Sequence, residues 1–154
     1  MANKKTYSPV GANFYSTSTL PQESLGATGR GSDASEWVYV KATEALAVGQ
    51  GALVKNDFTV VGANNALANT NGWSLAIPQT AFAANEYGWM ATAGVAIKAL
   101  SAASFAGKGA PVSVNNGGVF GSLGQAITGL TFVANTGGQQ VAMDAIAQNI
   151  SVKQ

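Results

Sequence analysis

GKGAPVSVNNGG, residues 107–118, admits two readings that lead to different folds. If the glycines around Lys108 cradle a phosphate, a helix should follow and the chain should be α/β. If they are corners between short strands, the surroundings should be all-β. The P-loop pattern fails here, because Ala102 stands where its first glycine belongs and Gly109 follows Lys108 in place of Ser or Thr. Asn115, Asn116, Gly117 and Gly118 instead lie between alternating Val112 and Val114 and the apolar pair Val119-Phe120. These residue types tolerate the positive φ of hairpin turns, so the stretch predicts a corner.

The same stretch has a counterpart upstream. VYVKA (38–42) followed by VGQGALVKNDFTVVG (48–62) aligns with VAIKA (95–99) followed by AGKGAPVSVNNGGVFG (106–121). Val38 matches Val95, Ala42 matches Ala99, Gly51 matches Gly109, Asn56 matches Asn115 and Val60 matches Val119. Gln50 falls opposite Lys108, so a cation is no part of the shared pattern. Two copies of one β unit, with a second hairpin turn at Asn56-Asp57, are expected.

Working outward, residues 36–147 are a series of short apolar or alternating runs cut by Gly and Asn, among them EWVYVKA, GALVKNDFTVVG, NGWSLAIP and YGWMATAGVAIKAL. Their spacing predicts about eight or more strands in an all-β barrel or sandwich. Only TAFAANEY (80–87) and LSAASFAG (100–107) have room for a helical turn. Residues 1–35 are polar and rich in Gly, Ser and Thr, too poor in apolar side chains to order themselves. They read as an extended arm, with GATGRGS (26–32) as a hinge to a domain spanning 36–154. Tyr7, Phe14, Tyr15 and Leu20 are the side chains such an arm has for anchoring on a partner.

Composition narrows the chemistry. The 154 residues suit one domain, and only 10% of them are charged while 47% are hydrophobic. With no Cys and no His, the chain lacks thiolate metal sites, disulfides and the Ser-His and Cys-His nucleophile pairs. Eight basic residues are spread out with no stripe for phosphates, so nucleic acid is not an expected partner. No apolar run reaches the roughly 18 residues of a membrane span, and no signal peptide follows MANKK. The seven acids show no calcium-loop spacing, and a hydrolase would need two of them to converge in a cleft. Trp37, Trp73 and Trp89 with Tyr39 and Tyr87 serve either as packing or as a sugar platform, packing being the commoner use. No cofactor, metal or catalytic residue is expected.

The phrases AFAANEYGWMATAGVAIKAL, GKGAPVSVNNGGVF and AITGLTFVANTGGQQVAMDAI resemble small tailed-phage capsid decoration proteins, also called cement or head-stabilisation proteins. Gly88, Trp89, Gly94, Val95, Ala96, Ile127 and Gly129 fit that pattern, and Asn85 replaces its first glycine. The resemblance covers about residues 36–147. It implies a non-enzymatic β protein that forms a homo-oligomer, a trimer ahead of a dimer. Such a protein is made in the bacterial host cytoplasm and binds the major capsid protein on the outer surface of the virion. The alternative is a receptor- or glycan-binding module of a phage head fibre or tail.

Overall fold

The computed structural model describes residues 12–63, 74–102, 112–115, 117–121, 125–132 and 142–152. Those residues form eleven strands and no helix. They are β1 (Thr17–Ser18), β2 (Thr28–Arg30), β3 (Glu36–Ala42), β4 (Ala52–Val54), β5 (Thr59–Gly62), β6 (Ser74–Pro78), β7 (Tyr87–Leu100), β8 (Ser113–Val114), β9 (Phe120–Gly121), β10 (Gln125–Phe132) and β11 (Ala142–Val152). The all-β reading holds.

Five strands close a barrel in the order β7-β3-β5-β4-β6 and back to β7. All its pairings are antiparallel except β3 with β5. Long β7 joins the barrel to a second sheet region. Its first half pairs with β3, and its second half, from Ala93 to Leu100, pairs with β11. β10 then pairs with β11 and with the β8–β9 hairpin.

Alternation along the barrel strands sorts two buried faces. Val38, Val40, Ala42, Ala52, Val54, Val60, Ala76 and Met90 join Leu46 and Phe82 in one cluster, which fills the barrel. Their neighbours Trp37, Tyr39, Leu53, Leu75, Ile77, Trp89 and Ala91 point the other way, into a second cluster that includes Val112, Val114, Phe120, Ile127 and Leu130. Burial on both faces explains why EWVYVKA and SLAIP read as nearly continuous apolar runs.

Three hairpins share one turn. At 31–35, 55–59 and 115–119 the first N–H donates to the fifth carbonyl at 2.8–2.9 Å, and the fourth N–H donates back to the first carbonyl. The fourth residue is left-handed each time: Ala34 at φ 65°, Phe58 at φ 60° and Gly118 at φ 71°. In the first two, the Asp at the third position clamps the turn. Asp33 Oδ1 accepts from Ser35 N and Oγ, and Asp57 Oδ1 accepts from Thr59 N and Oγ1. The turns expected at Asn56-Asp57 and at Asn115 to Gly118 are therefore present, with Asn116 outside the described residues.

The repeat is visible in the topology. Ala42 of β3 pairs in parallel with Val60 after one hairpin, and Ser101, just past β7, pairs in parallel with Phe120 after another. The geometry equates Ala42 with Ser101 and Val60 with Phe120, two and one residues away from the sequence alignment. Small residues recur too often in this chain for identity alone to fix register.

A correction concerns residues 1–35. Within the described part, β1 pairs with β7 and β2 forms a hairpin with β3, Arg30 opposite Glu36. Three of the seven residues of GATGRGS, Thr28–Arg30, are thus strand and no hinge, and the 35/36 boundary falls where the turn at 31–35 meets β3 within one sheet. Composition concealed this because the segment orders by covering apolar surface from β3 and β7, having little of its own.

Candidate functional site

The covering starts from a glycine. Gly29 of β2 faces Phe14 and Trp89, and a Cβ there would lie 2.7 Å from the Phe14 ring and 3.1 Å from the indole. The bare backbone lets Phe14 stack on Trp37, with centroids 4.9 Å apart and planes 4° apart, while meeting Trp89 edge-on at 5.2 Å. Tyr39 completes the row edge-on to Trp89, and its hydroxyl accepts from Gln22 N at 2.9 Å. These ring contacts and the Gln22 hydrogen bond add to the β1–β7 and β2–β3 strand pairings in fastening residues 12–30 to the barrel wall.

Beside this row an open recess of about 380 Å³ lies between Tyr15, Arg30, Asp33 and Trp37. Tyr15 meets Trp37 edge-on at 5.5 Å and is 63% exposed. At the base a chain of hydrogen bonds links core to surface: Trp37 Nε1 donates to Ser35 Oγ at 2.8 Å, and Ser35 Oγ donates to Asp33 Oδ1 at 2.5 Å. The Ser35 hydroxyl, then its backbone N–H, hold the Asp33 carboxyl below the usual carboxylate range. At the rim Arg30 pairs with Glu36 at 2.9 Å.

A second exposed region is apolar. Leu20 is 68%, Leu25 38% and Phe58 37% exposed. The Phe58 ring lies against Gly26, next to Leu25, and its carbonyl accepts from Lys41 N at 3.1 Å. Lys41 Nζ sits 5.4 Å from the centre of the Tyr87 ring, and Tyr87 pairs with Ser18 two residues before Leu20. Phe58 and Tyr87 thus flank Lys41 near the end of β3, with Leu25 adjoining Gly26 in the chain and Leu20 two residues past Ser18.

Of the four expected anchors, Tyr15 and Leu20 are exposed, whereas half-buried Phe14 is engaged by the chain's own tryptophans. Tyr7 lies outside the described residues, as do Trp73 and Lys108. Trp37 and Trp89 are each 3% exposed, so neither offers a face to a sugar. Sequence reasoning missed Leu25, Phe58 and the Asp33 recess. The Asp-x-Ser/Thr spacing common to Asp33-Ala34-Ser35 and Asp57-Phe58-Thr59 was the signal available for the first of these turns. Comparison of the chain with family models, with curated proteins and with solved structures finds no match.

Proposed function

We propose that this chain is a structural capsid decoration protein. It coats the outer surface of a tailed-phage shell, binds the major capsid protein across capsomer seams and acts as a homo-oligomer, a trimer ahead of a dimer. The observation that carries the reading is the set Leu20, Leu25 and Phe58, large apolar side chains held exposed on a rigid β scaffold in a chain with few charges. Exposed apolar side chains that gather near one another mark surfaces that meet other proteins. Repetition over a shell multiplies a modest contact, so a small patch suffices. The resemblance of residues 36–147 to decoration proteins points the same way.

The test is co-sedimentation of the purified protein with phage capsids that lack their decoration protein, alongside its mass in solution by light scattering. Stoichiometric, saturable binding to the shell is expected. Protein left in the supernatant that instead binds host-cell glycans overturns the reading in favour of a fibre or tail module.

A further inference from the structure

The recess beside Tyr15 holds a carboxylate, Asp33, that forms no ion pair among the described residues. Arg30 is already paired with Glu36 at 2.9 Å, and among the described residues no basic group pairs with Asp33. Both hydrogen bonds to Asp33 come from Ser35 and fall on Oδ1, while Oδ2 takes none among the described residues. The lining of the recess therefore carries one guanidinium, already drawn to Glu36 outside the lining, and one carboxylate with no basic partner among the described residues, with Tyr15 as a wall. An anion would have to displace Glu36 from Arg30 while facing Asp33, and a neutral ligand would leave the carboxylate's charge unused. A cation gains twice, from a charge-assisted hydrogen bond to the carboxylate and from the face of an exposed tyrosine.

We propose that this recess, between Tyr15, Arg30 and Asp33, seats a lysine or arginine side chain presented by the protein surface that the chain coats. The inference rests on the decoration reading and adds the chemistry of one contact. Arginine fits better than lysine, since its planar head stacks on a ring while bonding a carboxylate. The turn makes the seat rigid: Ser35 is buried, and its hydroxyl ties Asp33 to the indole of Trp37. A ligand on Asp33 is therefore sensed at Trp37 Nε1.

The experiment titrates N-acetyl-arginine methylamide into the full-length protein and follows the Trp37 indole N–H by NMR, with methyl glucoside and inorganic phosphate as competing chemistries. The arginine probe should shift the indole in a saturable way that weakens with added salt. Asp33→Asn, which keeps an Oδ1 acceptor for Ser35, and Tyr15→Ala should each lower the affinity about threefold to fivefold. No shift with the arginine probe, an equal shift with the glucoside or phosphate, or an Asp33→Asn variant that binds unchanged overturns the proposal. So does a Lys4→Gln/Lys5→Gln variant that binds the probe when the unaltered chain does not, since the seat would then belong to the chain's own amines. If the probe binds while the protein fails to sediment with shells, the decoration reading fails and the cation seat stands. The converse pair of results removes only the seat.

Discussion

Glycines 117 and 118 are adjacent and both left-handed, at φ 85° and 71°, yet they are constrained differently. A Cβ on Gly117 meets nothing within 4 Å, whereas one on Gly118 runs into the backbone of Gly51, whose N–H donates to the Gly118 carbonyl at 2.7 Å. Gly117→Ala should cost only the conformational penalty, about 1–2 kcal/mol. Gly118→Ala must also push the hairpin off the barrel, and a loss above about 3 kcal/mol is expected. Urea unfolding of the two variants checks the order, and equal losses would mean that the hairpin is not locked against Gly51. Asp33 and Asp57 each contribute on the acid side of the stability profile. Hydrogen bonds from Ser35 and Thr59 lower both carboxyls, so the folded state favours the ionised form. Their contribution is complete above the unfolded value of about 4 and disappears as pH falls through the lower folded values. Thermal melts should be flat from neutral pH to about pH 5 and decline below about pH 4, with a shallower decline in Asp57→Asn.

Among the elements, the stretch from Phe14 through β2 behaves as a cover whose stability depends on what it covers. Phe14→Ala removes a ring stacked on Trp37 and leaves a gap above Trp89, for an expected loss of about 2–3 kcal/mol and a red shift in tryptophan emission. Deleting residues 1–35 should do more, since it strips both strand pairings and the Phe14 and Tyr15 ring contacts together. The truncated chain should fail to unfold cooperatively by calorimetry, and a sharp transition near that of the full chain would show that the barrel closes without its cover. Turn chemistry at this scale also accounts for Asn85. Asn85 sits at φ 68° in the turn from Ala83 to Glu86, and its N–H donates to Ala42 O at 2.8 Å. Asparagine is the residue other than glycine that tolerates this conformation best, so it suits the turn.

For the molecule as a whole, stability and attachment should be separable. Leu20 and Leu25 contribute little to the core because they face solvent, and Leu20→Asp with Leu25→Asp should change the melting temperature only slightly. Occupancy on shells lacking decoration should fall by about tenfold or more, because a few apolar anchors dominate such interfaces. Sedimentation at several protein concentrations measures the shift, and unchanged occupancy would place the contact elsewhere on the surface.

Strand-sized apolar runs, turn residues at the right spacing and the lack of any long 3.6-residue periodicity determined that the chain is all-β, placed hairpins at Asn56-Asp57 and at Asn115 to Gly118, and hinted at a doubled unit. Those features are local, carried by backbone preference and by whether each face of a strand is buried. A local pattern reports burial without saying against what. Only the tertiary structure decided that Val38 and Val40 fill a barrel while Trp37 and Tyr39 face a second cluster, that β3 and β5 run parallel, and that Phe14 caps two tryptophans far from it in sequence. The same limit hid the recess, since Arg30 and Asp33 are unremarkable polar-segment residues until the β2–β3 hairpin sets them beside Trp37 and the expected anchor Tyr15. Residues 12–35 bury their few aromatic groups against apolar surface supplied by β3 and β7, and no reading of the segment alone contains that surface.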